Sequence, residues 1–459
     1  MRQRLRPVTN PRLHEAIGRI GWSLADTAAA INQVGLENGL GLTYGAGSVA
    51  HWLTGTMPRA EVIPIVVEAF TRGLGIPTLT ASDLGWPQLP TLAGPEGLDD
   101  PWSGDPVAWI THLGRDDMLD RRTALTAGIY AISAALPARP HPTIVRHGPA
   151  RRAGASDITR IRAMGDLFQE MDDQYGGGHA RSLVAAYLTQ HVAPLLCGTT
   201  GRARPGLFIA AAELAYLLGW MAADDLRTGL AQRYYIQAVR LAEEADDRTM
   251  RSTALRSLSV QAIELGHAKE GLALAEAAAE GLRRGASARK RAWITGMRAE
   301  ALAATGYGSH QARDLLRKAE ADLEHADSPP EGEWTGNYRR ESFEHQVGLT
   351  LAQMGDHKAA EEHFAASVAS RRLVERRTKA LIGARLAEAQ LQQLHPEAAA
   401  HTVLGLAADL DGVSSERIRQ TLIGIRRAWQ PYRPDPFVDQ ADRFLAETIR
   451  SATHAGLLP

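Results

Sequence analysis

The sequence predicts an all-α protein, with a small N-terminal helical domain followed by a long α-solenoid. Three observations carry this prediction. Apolar residues recur at helical spacing, as in Leu255, Leu258, Ala262 and Leu265 and, beyond a turn, Leu272, Ala275, Ala279 and Leu282. No stretch alternates apolar and polar residues with β-branched enrichment, so there is no case for a sheet. Paired-helix units also repeat through the second half, turning near Leu226, Gly266, Gly306, Gly355 and Leu394 at intervals of 40, 40, 49 and 39 residues.

Composition sets the outer bounds. A chain of 459 residues with 44% hydrophobic content holds two or three folded units. Its net charge of -1 leaves no global electrostatic footprint, so a nucleic-acid partner would have to meet a local basic patch. The single cysteine, Cys197, rules out an internal disulfide and a cysteine-rich zinc site, and fits a reducing cytoplasm. The opening MRQRLRPVTN leads into an amphipathic stretch and not an apolar signal core. RRTALTAGIYAISAALPA, from Arg121, has the layout of a twin-arginine export signal but lies far inside the chain. It reads as an amphipathic helix docking onto the repeats. Gly206–Ala223 approaches the length of a membrane span, yet Glu213 interrupts it and it fits the first repeat helix. A soluble cytoplasmic protein with no membrane partner is expected.

Taken in order, the first domain spans residues 1–84. Pro11–Ile20 reads as one helix, and Ser23 caps a second over Leu24–Asn32. The glycine-rich stretch Gly35–Tyr44 separates it from a third helix, from Gly45 to Thr54, that stops at Gly55 and Pro58. Trp22 and Trp52 are assigned to the core. Residues 1–90 carry seven arginines against six acids, and the useful charge is concentrated in Arg2, Arg4 and Arg6, an arm for phosphates or a minor groove, and in Arg59. Residues 85–108 hold five prolines and four glycines and read as a linker. Residues 109–156 are assigned as a connecting helix and basic linker. Six arginines between Ala138 and Arg162 either reinforce phosphate binding or are solvated linker charge.

The repeat domain is placed at 157–459. Asp157–Leu196 supplies at least two helices broken by Gly176-Gly177-Gly178. The clearest unit, Phe343–Val368, sets Gly348, Leu351, Gly355, Asp356, Ala360 and Phe364 in register, and GLAQRYYIQAVRLAEE places Ala231, Tyr235 and Ala238 at matching offsets. Small residues let paired helices approach while the aromatic fills the groove. This pattern resembles the tetratricopeptide signature with longer helices, which implies a tetratricopeptide-like α-solenoid with a concave binding surface. The longest interval carries an insertion from His325, HADSPPEGEWTGNY, read as a loop that caps or lines that surface.

GWSLADTAAAIN followed by GSVAHWLTGTMPR resembles the helix-turn-helix of the XRE, or phage-repressor-like, transcriptional regulators. With AELAYLLGWMAADDLRTGLAQRYYIQA downstream, the whole chain resembles actinobacterial regulators that join such a domain to tetratricopeptide-like repeats. Its layout is also similar to that of peptide-sensing regulators. The resemblance implies that the third helix enters the DNA major groove and that Thr43, Tyr44, Ser48 and His51 lie at or near the bases and phosphates. The sequence departs from the pattern in having no Gln, Asn or Arg suited to bidentate base readout there, and no tight turn before the helix.

Polar-tipped aromatic residues suited to anchoring a ligand or partner in the repeat groove are Tyr187, His191, Tyr216, Trp220, Tyr234, Trp334 and Tyr338, with Tyr235 assigned to packing. No catalytic residue, cofactor or metal site is assigned. Gly176-Gly177-Gly178-His179 lacks the strand and lysine of a phosphate loop, and Asp172, Asp173 and His179 have no supporting cluster. The expectation is a homodimeric regulator that binds operator DNA and senses a small molecule, peptide or partner protein in its repeats. The alternative is an interaction scaffold whose helix-turn-helix no longer reads DNA.

Overall fold

The computed structural model describes residues 8–76, 79–87, 100–118, 129–134, 152–282, 286–326 and 338–455. Among these, every regular element is helical. The N-terminal body contains α1 (Pro11–Ile20), α2 (Leu24–Glu37), α3 (Ala46–Leu53) and α4 (Ile63–Leu74). Asn10 caps α1, and Ser23 and Asp26 form a reciprocal capping box on α2. These helices close around Leu13, Ile31, Val49, Trp52, Ile65 and Phe70. Helix α2 runs past the expected Asn32 to Glu37, because Val34 and Gly35 remain buried on the same face. The α2–α3 connection is therefore residues 38–45, shorter than the sequence suggests.

The region expected as linker is partly structured. Trp102 is buried and its indole N–H donates to the Ala134 carbonyl at 2.9 Å. Helix α5 (Pro106–Met118) begins inside the expected linker and packs against the helices Gly177–Tyr187 and Thr228–Glu244 of the array. The described part of the apolar run after Arg121, residues 129–134, is extended and ends in a 3-10 turn. It is not the amphipathic helix expected, because its backbone is held by side chains of two other bodies, as described below.

The array follows as α6 (Ala155–Tyr175), α7 (Gly177–Tyr187), α8 (Ala193–Gly198), α9 (Ala203–Asp224), α10 (Thr228–Glu244), α11 (Arg248–Glu264), α12 (Ala268–Gly281), α13 (Ala288–Ala304), α14 (Ser309–Glu324), α15 (Arg340–Gln353), α16 (His357–Ser370), α17 (Arg376–Gln392), α18 (Pro396–Gly405), α19 (Ala407–Leu410), α20 (Glu416–Ala428) and α21 (Pro436–Ala455). Helices pair as α9/α10 through α17/α18, and each pair stacks on the next. All five turn positions marked in the sequence hold left-handed backbone: Leu226, Gly266, Gly306, Gly355 and Leu394 have φ of 54°, 85°, 75°, 78° and 64°. That residue lets the chain reverse while a following N–H caps the ended helix, as when His267 donates to the Ala262 carbonyl at 2.8 Å. The in-register aromatics pack where expected. A Cβ on Gly348 would lie 2.6 Å from the Phe364 ring, and one on Gly219 would lie 2.6 Å from Tyr235. Helix α9 is apolar and long enough to cross a membrane by composition, but 72% of its most apolar window is buried inside the protein.

The array closes on itself. Helices α17 and α20 return to pack against α6 and α9. The joint is built from the three glycines at 176–178. Gly176 has φ 88°, and a Cβ there would meet the Ser414 carbonyl at 2.3 Å, while one on Gly177 would meet the Met221 carbonyl at 2.6 Å. Ser414 N–H donates to the Tyr175 carbonyl at 2.7 Å across the same seam. Asp172 and Asp173 serve this joint too, facing the buried Arg377 guanidinium of α17.

The glycine–aromatic contacts give a direct test of the packing. Gly348→Ala gains about 1 kcal/mol of helix propensity but inserts a carbon into the Phe364 ring, so a net loss of about 1–3 kcal/mol is expected in urea unfolding. Adding Phe364→Leu should recover part of that loss, and a neutral Gly348→Ala would show that these helices do not pack in this register.

Candidate ligand-binding site

The first helix of each pair turns one stripe inward and the second helix packs behind it. The inward stripes surround a central cavity of about 230 Å³. Helical spacing delivers the lining: Tyr216 and Trp220 on α9, Arg256, Val260 and Glu264 on α11, and Arg377, Leu381 and Arg385 on α17. Trp293 and Glu300 of α13, His345 of α15 and Arg417 of α20 complete most of the wall.

Its electrostatics are dominated by arginine. Arg377 reaches Asp172 at 3.0 Å and Asp224 at 3.6 Å. Glu264 accepts from Arg385 at 3.0 Å and also pairs with Arg417, tying α11 to α17 and α20 across the cavity. Arg256 lies 4.3 Å above the Trp293 ring, with Lys290 at 5.0 Å, while Arg377 and Arg417 lie 5.5 and 5.7 Å from Trp220. Burial, reinforced by the positive field of Arg385 and its neighbours, holds the His345 imidazole neutral, and its Nε2 accepts from Arg385 at 2.7 Å. Burial pushes the Glu300 carboxyl up to about 7 against the opposing pull of Arg256 and Arg385, with the Gln346 amide as its hydrogen-bond donor.

Three of the aromatic candidates, Tyr216, Trp220 and Tyr338, come together in this wall. Tyr187 and His191 do not join them. Their rings sit 5.6 Å apart and line a separate cavity of about 380 Å³ with Arg160. Tyr234 also falls elsewhere: it is fully buried on the outer helix α10 with its hydroxyl 3.3 Å from Asp117, because α5 covers the face that the sequence suggested was open. Trp334 lies outside the described residues, as do Arg2, Arg4 and Arg6. The residues missed were the arginines, Trp293, His345 and Glu300. Their signal was the polar stripe at helical spacing on each first helix, opposite the alanine-rich packing face.

In the N-terminal body, Thr43, His51 and Arg59 are exposed and Ser48 is half-buried. Tyr44 is fixed by Asn32, whose side chain bonds its N–H at 2.9 Å and its carbonyl at 2.8 Å, and its ring stands on Trp52 at 5.1 Å. Helix α3 itself carries no Asp, Glu, Lys or Arg. Of the linker arginines that are described, Arg160 pairs with Asp157 and Arg162 with Glu213.

A clasp joins this body to the array. Glu37 at the end of α2 binds Arg72 at 2.7 Å and lies 3.3 Å from His267, and Arg72 also holds Glu68 at 2.8 Å. Burial raises the Glu37 carboxyl, but His267 and Arg72 outweigh it and leave the carboxyl below its ordinary range. The Thr228 hydroxyl donates to the Glu37 carbonyl at 2.5 Å. Tyr130 stacks on His267, with ring planes 5° apart, and its N–H donates to Asn38 at 2.7 Å. Gln232 then exchanges two bonds with the backbone of Ala131, at 2.9 and 2.8 Å.

Glu300 makes a pH test possible. Its carboxyl holds its proton to higher pH when folded, so its stabilising contribution is complete below about pH 4.5 and is lost as pH rises through about 7. In urea unfolding, Glu300→Gln should therefore stabilise the protein more at pH 8 than at pH 5, the difference reaching up to about 3 kcal/mol. An equal effect at both pH values would contradict a proton-holding Glu300.

Residues 13–87 match the family described as the SP15 N-terminal domain. The match covers most of the N-terminal body and leaves the array unmatched. No curated protein matches the chain.

Proposed function

We propose that the protein is a ligand-responsive, XRE-like transcriptional regulator. In this reading the N-terminal body binds operator DNA as part of a homodimer and the array is the sensor. One observation carries the proposal: the same two helices serve both parts. Helices α9 and α11 supply Trp220 and Arg256 to the cavity, and just beyond their ends Thr228, the first residue of α10, and His267 reach the clasp on Glu37. A ligand that shifts either helix acts on the end of α2, which leads directly into the loop bearing Thr43 and Tyr44. The arm residues Arg2, Arg4 and Arg6, with Arg59, would supply phosphate contacts, and Ser48 and His51 would face the groove. A competing reading, a scaffold that binds protein and not DNA, is favoured by the uncharged surface of α3.

Selection from a genomic fragment pool, followed by salt titration, separates the two. The regulator reading expects affinity to fall steeply with salt, and replacing Arg2, Arg4 and Arg6 with Ala to reduce the logarithmic slope by up to about 3. Absence of binding at low salt, or a slope untouched by that replacement, favours the scaffold.

A further inference from the structure

We propose that the central cavity binds a small aromatic acid, a single planar ring carrying a carboxylate or phosphate, with the acid group seated between Arg256 and Tyr338. The inference deepens the sensor reading above and rests on it. Four of the five arginines in the wall have acidic partners. Arg377 faces Asp172, Asp173 and Asp224, Arg385 and Arg417 share Glu264, and Arg371 lies 3.8 Å from Glu375. Arg256 differs. Among the described residues it has no carboxylate at ion-pair distance, its polar contact is Gln346 at 3.3 Å, and its Nε is buried without a partner. A half-buried cation in that state costs stability unless an anion arrives to meet it.

A second, independent group points to the same place. Tyr338 is only 3% exposed, lines the cavity, and its hydroxyl finds no hydrogen-bond partner among the described residues. It lies beside Gln346, since a Cβ on Gly296 would sit 2.9 Å from the Tyr338 oxygen and 3.1 Å from Gln346. Gln346 thus bonds the Arg256 guanidinium, while its Cγ and the Tyr338 hydroxyl border the same point beside Gly296. Together the guanidinium and the hydroxyl present donors of the kind a carboxylate or phosphate accepts. The rest of the ligand follows from its surroundings. Trp293 lies beneath Arg256, and Val260 and Leu349 add apolar wall, which suits a flat ring. A volume of about 230 Å³ is below the ~300–1,000 Å³ of drug-sized sites and limits the occupant to about one ring. The Arg256 guanidinium, with no carboxylate at ion-pair distance among the described residues, disfavours cations at this spot.

Isothermal titration of the full chain without DNA tests this with 4-hydroxybenzoate, phenyl phosphate, benzamide and inorganic phosphate. At least one ring acid should bind, with benzamide and inorganic phosphate about tenfold weaker or more, and the better ring acid tells carboxylate from phosphate. Arg256→Gln should weaken that acid by about tenfold or more, Arg256→Lys by less, and Tyr338→Phe by a few fold. Because Arg256→Gln also removes the contact with Trp293, Tyr338→Phe gives a second variant that keeps the ring packing. Failure of both ring acids to bind at millimolar concentration overturns the proposal, as does equal binding of benzamide or of inorganic phosphate, or an Arg256→Gln protein that binds like the parent. Loss of the proposal this way leaves DNA binding untouched, whereas absent DNA binding with intact acid binding rejects only the regulator reading.

Discussion

The buried contact of Arg377 with Asp172 and Asp224 holds the array shut, and the rest of the structure depends on it. Arg377 belongs to α17 and is 2% exposed, while its partners come from α6 and α9, far away in sequence. An array of stacked helix pairs has no intrinsic reason to end where it began. Here one guanidinium faces three carboxylates, counting Asp173, so the joint carries surplus negative charge in a dry place. Burial accordingly pushes the Asp172 carboxyl above its ordinary range, with Arg377 pulling the other way. Buried ion pairs seldom add net stability, but removing one partner strands the other at a cost of about 3–5 kcal/mol. The contact thus selects closure over an open superhelix more than it strengthens the fold.

Closure converts a concave groove into a chamber. In an open array the inward stripes of α9, α11, α13, α15 and α17 would be solvated, and their arginines screened by water and salt. With the ends joined, Trp220 lies beneath cations from α17 and α20, and Glu264 of α11 braces both. The low-dielectric surroundings strengthen each of these contacts and make any unsatisfied group expensive. That is why Arg256 and the Tyr338 hydroxyl stand out.

Much of this was legible in the sequence, and the limits have physical causes. The helix pairs, their five turns and the Gly348–Phe364 contact follow from local rules, because a solenoid is built from contacts between neighbours in sequence. Ser23, Gly55 and the core Trp52 of the N-terminal body were legible for the same reason, whereas Trp22 is half-buried at the edge of that core and Trp86, assigned to the linker, lies within it. Closure was not. The glycines at 176–178 lacked the context of a phosphate loop, and their actual partners, Ser414 and Met221, are remote in the chain. Tyr234 and Tyr235 are adjacent and chemically identical, so only knowledge that α5 covers the outer face of α10 separates them from a groove position. The arginine lining was visible as a stripe on α11 and α17, but an arginine on a helix face reads as solvated until the array is known to close.

The central claim is that the array is a closed chamber joined through Arg377. The most direct measurement is a spin-label distance between exposed positions on opposite sides of the seam, Leu183→Cys on α7 and Gln420→Cys on α20, with Cys197→Ser. A narrow distance distribution that broadens and lengthens in Arg377→Met is the predicted result. A broad distribution in the parent protein, unchanged by Arg377→Met, would contradict the closed array and with it the enclosed site.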